Sequence, residues 1–194
     1  MATQGGQRYL PGSGSTTTTI VNGTITLADK TRVDGFTING QIAGDAVETV
    51  TLHRNVINAS AGLAGVSLTN IDNTGDLVVL SENTISGGDT GIEGTGQAVD
   101  LDLLDNTVLD AAIQAIGVEA TGATTSTWIV SGNALSGSGA GDVAEAIFTN
   151  SGTGTVNLTL TGISSTNDPA AGEFNFDLLN TGGGGFTIDS SASN

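Results

Sequence analysis

Val78-Val79-Leu80-Ser81-Glu82-Asn83-Thr84-Ile85 decides how this chain folds, because the phrase returns. It stands earlier as Val50-Thr51-Leu52-His53-Arg54-Asn55-Val56-Ile57. It recurs as Leu101-Asp102-Leu103-Leu104-Asp105-Asn106-Thr107-Val108, as Trp128-Ile129-Val130-Ser131-Gly132-Asn133-Ala134-Leu135 and, with Thr161 in place of the asparagine, as Val156-Asn157-Leu158-Thr159-Leu160-Thr161-Gly162-Ile163. The shared template is apolar, any, apolar, any, any, Asn, any, apolar, at spacings of 28, 23, 27 and 28 residues. That period belongs to a solenoid and is too long for a helical heptad.

The two apolar residues ahead of the asparagine are two apart, so on a pleated strand both face inward and the residue between them faces out. The first inward column then reads Val50, Val78, Leu101, Trp128, Val156 and the second Leu52, Leu80, Leu103, Val130, Leu158. Ile57, Ile85, Val108, Leu135 and Ile163 make a third column beyond a bend. A fourth follows later in each unit, from Val66 and Leu68 through Ile92, Ile116 and Val118 to Ile147, Phe174 and Phe176. Each unit thus carries about three short strands separated by Gly, Ser, Asn and Asp turns. Such strands bury their apolar face only by stacking on a neighbouring unit. Asn55, Asn83, Asn106 and Asn133 would then form a ladder, each taking the left-handed or bridge conformation of a sharp corner and hydrogen-bonding along the stack.

Together with Gly35-Phe36-Thr37-Ile38, Gly65-Val66 and Gly91-Ile92, these phrases resemble the right-handed parallel β-helix proteins of the pectate-lyase-like superfamily. The likeness runs from about residue 33 to 188. It implies an all-β, right-handed parallel β-helix of about five to six coils with an Asn ladder. It does not fix an activity, because lyases, hydrolases, phage tailspikes and bacterial surface adhesins share that fold.

Residues 1–19 read as a flexible N-terminal arm and 20–194 as one β-helix domain. Asn22-Gly23 marks a hairpin or corner in the first coil. The 14 residues from Ile38 to Leu52 are too few for a full coil, so the register at that end stays open. No stretch reads as a membrane span or a signal peptide. The chain has no cysteine, which removes disulfides and thiolate metal sites and fits a bacterial protein that lives outside the cell or on its surface. The net charge is −16. Arg8, Lys30, Arg32 and Arg54 are the only basic residues, and residues 55–194 carry 16 acids with no Lys or Arg. Such a body repels nucleic acid and anionic membrane, so neither is expected as a partner.

A polysaccharide lyase on this fold needs a basic residue beside its acidic sugar, and beyond Arg54 there is none. His53, the one histidine, sits in an outward slot beside Ser81, Leu104 and Ser131, with no Ser-His-Asp elbow around it. The densest carboxylates are Asp100, Asp102, Asp105 and Asp110, with Glu82 one coil from Asp105. Asp100, Asp102, Asp105 and Glu82 are therefore the candidates for a calcium site, weighed against a solvated acidic face, which is favoured. Gly94-Thr95-Gly96, Gly137 to Gly141 and Gly152-Thr153-Gly154 lack the following Lys-Ser/Thr of a phosphate loop and read as turns. Asn22, Asn58 and Asn157 head N-x-S/T triplets.

The leading expectation is a non-enzymatic, extracellular structural or adhesive β-solenoid with no cofactor. It associates with itself through its coil ends or with a host or matrix glycan or protein, and does not insert in a membrane. The alternative is a carbohydrate-binding or carbohydrate-active β-helix built on Asp100, Asp102, Asp105 and Glu82.

Overall fold

The computed structural model describes residues 19–72, 76–137, 144–165 and 175–189. Nineteen strands follow one another there with no helix between them, and hence none long and apolar enough to cross a membrane. In chain order they are β1 (Thr19–Thr26); β2 (Thr31–Asp34) and β3 (Phe36–Asp45); β4 (Val50–His53), β5 (Val56–Ala59) and β6 (Ala64–Asp72); β7 (Val78–Ser81), β8 (Thr84–Gly87) and β9 (Thr90–Ala98); β10 (Leu101–Leu104), β11 (Thr107–Ala111) and β12 (Gln114–Ala120); β13 (Ser126–Ser131), β14 (Ala134–Gly137) and β15 (Ala144–Asn150); β16 (Thr155–Thr161), β17 (Ser164–Ser165) and β18 (Asn175–Asn180); and β19 (Gly185–Asp189).

The chain is a parallel β-solenoid. From β4 to β18 it makes five three-strand turns, each strand hydrogen-bonded in parallel to its counterpart one turn away. One sheet stacks β2, β4, β7, β10, β13, β16 and β19. In the other, β3 is long enough to run round a corner, so its first half pairs with β5 and its second with β6, while β1 lies along it from Phe36 to Ala43. That continuous corner settles the open register. Asn22-Gly23 is not a hairpin but a corner inside β1, the second of the two expected readings, with Gly23 stacked on Gly40. The first two steps are 17 and 19 residues; the next are 28, 23, 27 and 30. β1 begins at Thr19, inside the arm expected at 1–19, whose other residues lie outside the described ones.

The columns hold through four units and slip in the fifth. Trp128 stacks on Leu158, Val130 on Leu160 and Leu135 on Ser165, two residues later than the template places them. A shift of two leaves every side chain on its expected face, so hydrophobic alternation does not detect it. Val156 remains buried, opposite Ser126. In the last column Ala146 and Phe148 face inward and Ile147 outward, contrary to expectation; Phe174 lies outside the described residues. The core is one continuous cluster, with Trp128 and Phe148 as its largest fully buried side chains. Trp128 donates Nε1–H to Val99 O at 2.8 Å and meets Phe148 and Phe186 at centroid distances of 5.8 and 6.1 Å.

The ladder is present, with one correction to its chemistry. Asn55, Asn83, Asn106 and Asn133 are each no more than 1% exposed, and each Nδ2 of the first three donates to Oδ1 of the next. The left-handed conformation belongs not to them but to the residue before: Arg54, Glu82, Asp105 and Gly132 have φ from 52° to 67°. The preceding residue turns the corner and the asparagine is thereby aimed inward. At a second corner the backbones themselves stack, with Asn150 Nδ2 donating to Gly154 O and Gly185 O beside them. A Cβ on Gly152 would lie 2.0 Å from Gly122 O, and one on Gly182 would lie 1.9 Å from Gly152 O, so successive turns there touch backbone to backbone. Gly94-Thr95-Gly96, expected as a turn, lies inside β9 instead.

Candidate functional site

The four carboxylates expected to form a site fall into two places. Asp100 and Asp102 sit at the start of β10, where Asp100 Oδ1 accepts the Thr127 N–H at 2.7 Å. Burial, with the Asp100 charge adding to it, pushes the Asp102 carboxyl above the usual carboxylate range. Glu82 and Asp105 occupy the left-handed corner at the other end of the strand stack, on adjacent turns as expected, and both are exposed. Among the described residues no three or more His, Cys, Asp or Glu side chains gather closely enough to hold a metal ion.

The first turns carry a charged cluster that the sequence reading missed. Asp34 is 4% exposed, yet it faces outward beside His53. Arg32 Nη2 donates to its Oδ2 at 2.8 Å and Arg54 Nη2 to its Oδ1 at 3.4 Å. Burial raises the pKa of this carboxyl, but the Arg32 hydrogen bond and the charges of Arg54, Arg32 and His53 outweigh that and hold it below the usual range. Arg32 Nε is buried with no hydrogen-bond partner. His53 Nδ1 is 2.9 Å from Ser81 Oγ, and Asp34, His53 and Ser81 lie in one row across β2, β4 and β7. The carboxylate is engaged by the two arginines, so the row is not a charge-relay arrangement for nucleophilic attack. The readable signal was Arg-x-Asp on the outward side of a strand, two residues apart.

A second missed feature is a groove on the outer face of β9, β12 and β15, of about 130 Å³, lined among others by Glu93, Thr95, Gln114, Gly117, Glu119 and Thr149. Gly117 forms its floor between Glu93 and Ile147. Ser67 Oγ donates to Glu93 Oε2 at 3.3 Å and Ser151 Oγ to Glu119 Oε1 at 2.5 Å, which fixes both carboxylates. Strand spacing and rise place the two Glu Cα atoms roughly 8 Å apart. Carboxylates so held can accept hydroxyl groups, but ordinary ligand pockets run to about 300–1,000 Å³. Nothing local marks these residues, since Glu93 and Glu119 are brought together only by the turn-to-turn register.

Asn22 and Asn58, which read as heads of N-x-S/T triplets, join Asn39 in an outer ladder: Asn39 Nδ2 donates to Asn22 Oδ1 at 2.9 Å and Asn58 Nδ2 to Asn39 Oδ1 at 2.8 Å. No protein-family model, no curated protein and no solved structure matches the chain.

Proposed function

We propose that this chain is a structural and adhesive module of an extracellular or cell-surface protein, a rigid acidic rod that performs no catalysis. One observation carries the reading: the turns that lie wholly within the described residues are only one to five residues long, so no described loop rises to wall a substrate cleft on the strand faces. Side-chain and backbone stacking at the corners supplies stiffness, and the resemblance to β-helical passengers of bacterial adhesins points the same way. The absence of cysteine and the net charge of −16 suit an extracellular setting.

The groove at Glu93 and Glu119 favours a second reading, a carbohydrate-binding or carbohydrate-active β-helix, with its site at a place other than the Asp100 to Asp105 group. A glycan array and a reducing-sugar assay across polysaccharides, each with and without calcium, decide between them. A structural module releases no sugar. Turnover that disappears in Glu93→Gln or Glu119→Gln would replace the first reading with the second.

A further inference from the structure

Interior side chains that remain only partly buried are Val21, Ile25, Phe36, Leu160, Ile163, Phe176, Leu178 and Phe186. All of them line the first two or the last two turns. The two ends are also complementary in outline. Among the described residues β19 adds a strand to one sheet at the last turn, while β17 and β18 are the edges of the other. At the first turn β1 adds a strand to that other sheet, and β2 is the edge of the sheet that holds β19. Each described end is thus half a turn, and the halves are opposite ones.

We infer that the partner of each end is a second copy of this chain, stacked head to tail so that β19 of one copy and β1 of the next complete one shared turn. This rests on the structural-module reading. Continuing the observed registers across the junction places like on like in the interior and opposite charges outside. The Ile42, Val66, Ile92, Ile116, Ala146 column brings Ile25 of one copy onto Phe176 of the other. The outward column that starts at Arg32 and runs through Thr51, Val79, Asp102, Ile129 and Thr159 ends at Asp189. Arg32 of one copy therefore follows Asp189 of the next in line, a carboxylate on a guanidinium. The opposite arrangement, last turn against last turn, would oppose acids and run the strands antiparallel. Because the two surfaces differ, the contact does not close on itself and propagates as a filament, with the strand edges supplying the hydrogen bonds.

The chain has no cysteine, which makes cross-linking unambiguous. Thr26 and Asp177 end one column from opposite ends of the solenoid, and both are exposed. The full chain is prepared as Thr26→Cys and, separately, as Asp177→Cys. Oxidation of the mixture is expected to give a linked pair of one copy each, well in excess of the dimers that either variant forms alone. Sedimentation of the unmodified chain is expected to show species that grow with concentration, and Ile188→Lys, at a position already exposed, is expected to move that growth to at least about tenfold higher concentration. A full chain that stays monomeric at high concentration, or cross-linking no greater in the mixture than in either variant alone, overturns the inference. Sugar release in the assay above would instead overturn the structural reading, so the two failures are told apart.

Discussion

Asn55 sends both its backbone N–H and its side-chain Nδ2–H to a single atom, Oδ1 of Asn83, at 3.0 Å each. The same pair of bonds joins Asn83 to Asn106 and Asn106 to Asn133. The other Nδ2 proton goes back to a strand carbonyl, Leu52 O for Asn83 and Leu80 O for Asn106. Among the described residues none of the four buried asparagine side chains is left without a hydrogen-bond partner.

Asn83→Ala orphans the two donors of Asn55 and the Leu52 carbonyl at once. It is expected to cost on the order of 1–3 kcal/mol, and Asn106→Ala a similar amount. Thermal melts check this, and unchanged melting temperatures in both variants would mean that the ladder contributes nothing.

Gly152→Ala and Gly62→Ala separate contact from conformation. Gly152 has no room for a Cβ, with a backbone oxygen 2.0 Å away, whereas Gly62 has φ of 83° and nothing within 4 Å. Gly62→Ala is expected to cost roughly 1–2 kcal/mol from its left-handed backbone alone. Gly152→Ala forces two turns apart and is expected to cost more, on the order of 3 kcal/mol. Equal losses in denaturant titrations would refute the backbone stack.

Asp34 supplies acid sensitivity of definite sign. Its folded pKa lies below the ordinary 3.8, so the stability it contributes is complete above that value and is lost as pH falls through the depressed one. Asp34→Asn is expected to lower stability at neutral pH by on the order of 1–3 kcal/mol. The gap between the two proteins should narrow as pH falls below 3.8, and a gap independent of pH would show that the arginine contacts do not matter.

Asp102 behaves in the opposite sense. Its folded pKa is raised, so its ionised form weakens the fold at neutral pH, and the penalty fades as pH drops through the folded value and is gone below the unfolded one. Asp102→Asn is expected to raise stability at pH 7 slightly, by less than about 1 kcal/mol because water still reaches the side chain, and with it the melting temperature. At pH 3 the two should melt together.

Trp128 has no exposed surface, so its fluorescence is expected to be blue-shifted and poorly quenched by acrylamide. An emission maximum typical of a solvated indole would place the ring outside the core.

The fold was legible because its signal is local: an asparagine and three apolar positions at fixed offsets, repeated. Burial of Trp128 followed from its place in a column of aliphatics. What stayed hidden depends on distances along the stack. The slip that puts Leu158 rather than Val156 on Trp128 preserves alternation and is silent. The groove between Glu93 and Glu119 is set by which residue of one turn lies over which of the next, and turn lengths between 23 and 30 residues leave that undetermined. Asp34 reads as an ordinary outward acid until Arg54, one turn later, is known to lie above it.

The fillers of the core differ from one end of the stack to the other, and this has a consequence for modularity. Trp128, Phe148, Phe176 and Phe186 all belong to the later turns, while the earlier ones are filled by Val, Leu and Ile apart from Phe36. Close packing fits each filler to those directly above and below it. The turns therefore share a plan without being interchangeable parts. Placing the Val50 turn beside Phe148 would leave a hole where Trp128 now meets that ring, so this solenoid has an order of assembly written into its interior.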